Sequence, residues 1–151
     1  MADFKQRMSP EDGAKAVEKL AADALAGFKA DAKKEYAELV KQYEGASATV
    51  GVFGMGSVEV SVLSGEVHIN PGAKRMGEQR GVGAISPEAL VAISEGKMTV
   101  LDAFHRGEIV VRAGSEALHE GYDSFLKNSE AALKSNRLQK TLAEFRKMAD
   151  V

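Results

Sequence analysis

SPEALVAISEGKMTVLDAFHRGEIVVRAG, residues 86 to 114, is the stretch that decides how the chain is read. Ser86-Pro87-Glu88 has the order of a helix start: a hydroxyl to accept a free amide, a proline at the first helical position, and an acid where the helix dipole is positive. Leu90 and Ile93 follow at helical spacing and the pattern stops near Gly96. Thr99 caps a second short helix running through Leu101 and Phe104 to Gly107. Met98, Leu101 and Phe104 are three apart, so they are expected on one face of it. Gly96 and Gly107 each sit where a left-handed residue ends a helix, a conformation glycine adopts without steric cost. Ile109-Val110-Val111-Arg112 is then a strand in which Ile109 and Val111 point the same way, closed by Gly114. Two short helices feeding a strand, with glycine as punctuation, imply a mixed α and β domain.

Outward from there, the glycines divide the chain. Twelve of the fifteen lie between residues 45 and 114, and the flanks are rich in Ala, Lys and Glu. In the N-terminal flank Ser9-Pro10-Glu11-Asp12 repeats the helix-start order. Val17, Leu20, Ala24, Leu25 and Phe28, then Tyr36, Leu39, Val40 and Tyr43, form helical stripes up to Gly45, with one helix or two about Gly27. From Ala48 the period changes to two. Ala48, Val50 and Val52 alternate with Thr49, Gly51 and Phe53; after Gly54-Met55-Gly56, Val58, Val60 and Val62 alternate with Glu59 and Ser61; and Glu66 to Asn70 alternates again until Pro71-Gly72. Three strands with short links predict an antiparallel meander with one face buried. Residues 72 to 84, GAKRMGEQRGVGA, show no period and hold four glycines, and are read as a mobile loop or an irregular edge. After Gly114, Ser115 caps a helix carrying Leu118, Tyr122, Phe125 and Leu126. A last helix carries Leu138, Leu142 and Phe145 with Lys134, Arg137, Lys140, Arg146 and Lys147. That basic amphipathic pattern suits either a cover for the core or contact with an anionic membrane or a protein partner.

Composition bounds the rest. The chain has 151 residues, 44% hydrophobic and 28% charged, and suits one soluble domain. Its formal charge of −2 disfavours wholesale neutralisation of nucleic-acid phosphates. Without cysteine there is no disulfide, thiolate metal site or cysteine nucleophile. No apolar run reaches about 18 residues, the start is polar, and Ala149-Asp150-Val151 matches neither a peroxisomal nor an ER-retention address, so a cytoplasmic location is expected.

The stretch from Ser86 to Gly114 resembles the sterol carrier protein family, also called the sterol carrier protein type 2 domain. The features that carry the likeness are Gly96-Lys97-Met98, Ala103-Phe104, Gly107, Ile109, Val111 and Gly114. Upstream, GSVEVSVLSGEVHINPG, residues 56 to 72, is similar to that family's second and third strands, and the N-terminal helix leading to a strand at Ala48 fits the same layout. Val58 and Val60 stand where an aromatic residue is common in the family. The likeness divides one domain, 1–151, into a tail (1–13), a family-like region (14–126) and an additional C-terminal helical segment (127–151). The fold it implies is α+β: a mainly antiparallel twisted sheet of about four to five strands covered by helices from both ends of the chain. The missing peroxisomal tripeptide points to a bacterial relative.

The function implied by the resemblance is non-enzymatic binding or carriage of a lipid, such as a fatty acid, fatty acyl-CoA or sterol, in an apolar tunnel between sheet and helices, with no cofactor. The expected wall is Phe53, Val60, Val62, Leu90, Ile93, Met98, Leu101, Phe104, Ile109, Val111, Leu118, Tyr122 and Phe125. Lys74, Arg75 and Arg80 are candidates to meet a carboxylate or phosphate head group at its mouth. The alternative is a protein-interaction module whose cavity is closed or vestigial. Signals for catalysis are weak. His68, His105 and His119 are dispersed, and Asp102 with His105 on one helix face lacks a further ligand for a metal. There is no Gly-x-Ser-x-Gly elbow, and Gly54-Met55-Gly56 is read as a hairpin turn.

Overall fold

The computed structural model describes residues 9–71 and 78–151, and for 71, 78–81 and 115–121 it describes the backbone alone. The elements in chain order are α1 (Pro10–Asp31), α2 (Lys33–Tyr43), β1 (Ala46–Val52), β2 (Gly56–Leu63), β3 (Glu66–Pro71), β4 (Glu78–Ile85), α3 (Pro87–Ser94), α4 (Val100–His105), β5 (Ile109–Ala113), α5 (Ser115–Lys134) and α6 (Asn136–Ala149). The fold class is α+β, as the sequence implies. The strands form one sheet in the order β3-β2-β1-β4-β5. Its pairings are antiparallel except β1 with β4, which run parallel, so the sheet is mixed.

Local chemistry sets most of the boundaries. The Ser9 hydroxyl accepts from the Asp12 amide at 3.2 Å, the buried Ser86 hydroxyl from Ala89 at 3.0 Å, and the Thr99 hydroxyl from Asp102 at 3.0 Å. Gly96 and Gly107 follow α3 and α4 at φ +77° and +71°, the left-handed conformation expected of a helix stop. Gly54-Met55 lies in the turn between β1 and β2, as read. Gly27 does not split the first helix; the break falls at Ala32, whose own amide still donates to the Phe28 carbonyl.

Three expectations are corrected. The stretch 72–84 is neither loop nor edge over its described part: residues 78–85 form β4, inside the sheet between β1 and β5. Residues 72–77, with Lys74 and Arg75, lie outside the described residues. A strand paired on both sides draws its stability from backbone hydrogen bonds to its neighbours, so it needs no alternation of its own. Second, Ser115 is not a cap. Gly114 holds the N-cap position of α5, Ser115 is its first residue, and no side chain caps that end. Third, Met98, Leu101 and Phe104 do not share a helical face. The Thr99 cap starts the helix at Val100, which leaves Met98 outside it. The inward positions are then Val100, Ala103 and Phe104, and Leu101 is 51% exposed.

Val52, Val58, Val60 and Val62 and, in register on the neighbouring strands, Ile85 and Ile109 share one face of the sheet. One cluster on that face joins Val52, Met55 and Val58 to Ala16 and Val17 of α1, Val91 of α3 and Phe145 and Ala149 of α6. Phe145 is fully buried. The apolar stripe of the basic C-terminal helix, Leu138, Leu142 and Phe145, is thus buried in the protein, with α1 among the elements it packs on. A second cluster joins Ile85 and Ile109 to Ala89 and Ile93 of α3 and Val100 and Ala103 of α4, with Tyr122, Phe125 and Leu126 of α5 against it.

Helix α2 buries no residue fully and is fastened to the hairpin of β2 and β3 by hydrogen bonds. The Val67 amide of edge strand β3 donates to the Tyr36 hydroxyl at 3.2 Å. At the far end the Gly65 amide donates to the Glu44 carboxylate at 3.2 Å, and the Gly45 amide to the Val62 carbonyl at 2.6 Å.

Candidate functional site

Where α1 and α6 end, the inner face of the sheet is no longer filled. A cavity of about 400 Å³ lies between the sheet and α2, α4 and α5. That volume falls within the roughly 300–1,000 Å³ of small-molecule sites. Strands β1 and β4 make its floor, with Ala46, Ala48, Val50, Gly83 and Ile85; β2 adds Val60 and Val62, and β5 adds Ile109, Val111 and Ala113. The roof is Leu39 and Tyr43 of α2, Val100 and Phe104 of α4, and Tyr122, Ser124, Phe125 and Asn128 of α5. Phe104 and Tyr122 meet as tilted rings with centroids 6.2 Å apart.

The lining is almost wholly apolar. No Asp, Glu, Lys, Arg or His is among its described residues. Its polar side chains are hydroxyls and one amide, from Tyr43, Tyr122, Ser124 and Asn128, with the Asn128 amide donating to Ser124 at 3.4 Å. Val50 and Val111, on the inner face, are 41% and 38% exposed, so the cavity is open to solvent along their side. Such a surface gives a ligand apolar contact and a few hydrogen bonds. Among the described residues no group of three His, Asp or Glu could hold a metal ion.

The residues named from the sequence divide by position. Val60, Val62, Phe104, Ile109, Val111, Tyr122 and Phe125 surround the cavity. Leu90, Ile93 and Met98 pack instead into the solid clusters beside it, because α3 lies over the end of the sheet that Ile85 and Ile109 fill. Phe53 is half-buried just past β1, its amide bonded to the Ile85 carbonyl at 3.0 Å, and Leu101 faces outward. Leu118 lies on α5 and Arg80 on β4, where only the backbone is described. Sequence reasoning missed Leu39, Tyr43, Ala46, Ala48, Val50, Gly83 and Val100. The helical stripe through Leu39 and Tyr43 was a signal for the first two. For alanine and glycine there is none, since a missing side chain leaves no periodic mark.

No family model matches the sequence, and no curated protein matches it. Solved structures are similar in fold. Sterol carrier protein 2 from Yarrowia lipolytica, in its apo form, superposes with a TM-score of 0.51 at 18% identity, covering 75% of this chain and 88% of that one. The sterol carrier protein domain 2 of Helicoverpa armigera gives 0.50 at 18% identity, covering 84% and 94%. At these identities the likeness is one of fold alone.

Proposed function

We propose that this chain, which has the sterol carrier protein fold, binds and carries a lipid without catalysis, holding the apolar part of its cargo between the sheet and α2, α4 and α5. The observation that carries the reading is an open cavity of about 400 Å³ with no charged side chain among its described lining residues. Burying a methylene is worth roughly 0.8 kcal/mol, so about ten methylenes contribute roughly 8 kcal/mol before ordering losses, equivalent to about micromolar binding. Polar recognition machinery is not needed for that affinity. The cytoplasmic location and the absence of a cofactor expected from the sequence are part of the same proposal.

Native mass spectrometry of the purified protein is expected to find co-purified lipid, and a fluorescent fatty acid is expected to bind and to be displaced by unlabelled fatty acid. Absence of both would sink the lipid reading. Lys74, Arg75 and Arg80 remain the proposed contacts for an anionic head group. Reversing charge at Arg75 and Arg80 together is expected to weaken binding of an acyl-CoA more than that of a neutral alcohol of the same chain length; equal effects would remove the head-group role.

A further inference from the structure

The floor of the cavity is graded in side-chain size, and the grading has a narrowest point. Across neighbouring strands Val50 of β1, Gly83 of β4 and Val111 of β5 are in register, and in-register neighbours share a face. Two valines therefore stand on either side of a strand that presents no side chain. One step toward the solid end, the matching row is Val52, Ile85 and Ile109, all buried, which closes the floor. One step the other way the walls drop to Ala48 and Ala113. The Gly83 row is a notch, blind at one end and widening at the other.

The geometry points to Gly83, flanked by Val50 and Val111, as the residue that selects cargo by thickness, admitting the end of a single unbranched acyl chain and rejecting a fused-ring sterol. This rests on the lipid-carrying reading and narrows it. Adjacent strands lie roughly 4.8 Å apart, so the backbones bearing the two valines are separated by roughly 9.5 Å. The valine methyls lean into that span, and a row of carbons needs roughly 3.5–4.0 Å of contact distance on each side. One methylene chain fits. A sterol, with angular methyls projecting from its ring plane, is thicker than a bare chain and meets both valines.

Gly83 tolerates the substitution that tests this. It is extended backbone, and a Cβ built there has the Val110 carbonyl oxygen and a Val111 methyl as its nearest neighbours, both at 3.9 Å, ordinary contact distance. A side chain would therefore fill the notch with little strain, and a branched one suits a strand.

The experiment uses two probes, a fluorescent polyene fatty acid and a fluorescent sterol, titrated into the wild-type chain, Gly83→Val and Val111→Ala, with thermal melts of each. The wild type is expected to bind the fatty acid at least about tenfold tighter than the sterol. Gly83→Val, by excluding two or three methylenes, is expected to weaken the fatty acid by roughly tenfold or more at unchanged melting temperature. Val111→Ala widens the notch and is expected to bring the sterol within a few fold of the fatty acid. That second variant decides the matter should Gly83→Val not fold. Equal wild-type affinity for the probes, an unaltered fatty-acid affinity in folded Gly83→Val, or an unaltered sterol affinity in Val111→Ala would overturn the notch and leave lipid carriage standing. A wild type that binds neither probe would overturn both.

Discussion

Under α1 and α6 the inner face of the sheet is solid, and under α2, α4 and α5 the same face is hollow. Both halves lie on one face of the same sheet. In the solid half Val52, Met55 and Val58 meet Val17 and the fully buried Phe145. In the hollow half the floor falls to Ala46, Ala48 and Gly83 while the roof carries Leu39, Tyr43, Phe104, Tyr122 and Phe125. At the Ile85 and Ile109 end these rings pack on the floor; over Ala46, Ala48 and Gly83 only short or missing side chains lie beneath the roof. What separates core from cavity is the size of the residues at the inward positions.

That contrast can be broken most forcefully at Phe145. Phe145→Ala is expected to cost about 3–5 kcal/mol in urea denaturation, since a fully buried ring leaves a void its neighbours cannot close. Phe104→Ala, the same change in the roof of the hollow half, is expected to cost less, about 1–2 kcal/mol, because this half-buried ring already faces empty space and forfeits fewer contacts. Equal losses at the two sites would mean that the hollow half is packed as tightly as the other. The boundary between the halves is tested at Ser86, which caps α3 and also donates to the Glu108 carboxylate at 3.1 Å. Ser86→Ala is expected to cost about 1 kcal/mol, read from the same denaturation curves.

The smallest effect is electrostatic and belongs to the solid half. Lys97, hydrogen-bonded to Glu95 at the end of α3, holds that carboxyl below its ordinary value; burial opposes the shift, and Arg146 of α6 reinforces it. A depressed carboxylate pKa adds stability that is present above the unfolded value and is lost as pH falls through the folded value. Glu95→Gln is therefore expected to lower stability slightly at neutral pH, by less than about 1 kcal/mol for a pair this near the surface, and to make no difference in acid below the carboxylate range. Paired thermal melts at the two pH values check it.

The solid half was the more legible of the two. Its helix starts at Ser9 and Ser86, its glycine stops and the valine alternation of β1 and β2 are local signals, readable over a few residues. Strand β4 was hidden because Gln79 to Gly83 holds a single large apolar residue, Val82, and no apolar alternation, and its place depends on partners distant in sequence, Ala46–Val52 on one side and Ile109–Ala113 on the other. The same glycines that hid the strand open the cavity. Tyr122, Phe104 and Val111 were visible as candidates since each has a side chain that must face something. Leu101 misled because the expected face was aligned on Met98, which precedes the Thr99 cap and lies outside the helix.

The Val67 amide, donating to the Tyr36 hydroxyl, bears on how the edge of the sheet is protected. A sheet edge offers unpaired amides on which the strand of another copy adds readily, and an open apolar hollow nearby makes such self-association more favourable. On β3 the hairpin turn is held by Glu44 and one outward amide is already spoken for by a phenol on a helix lying across it. The helix that roofs the hollow is therefore also a guard on the sheet edge, occupying a bonding position that a strand of another copy would need.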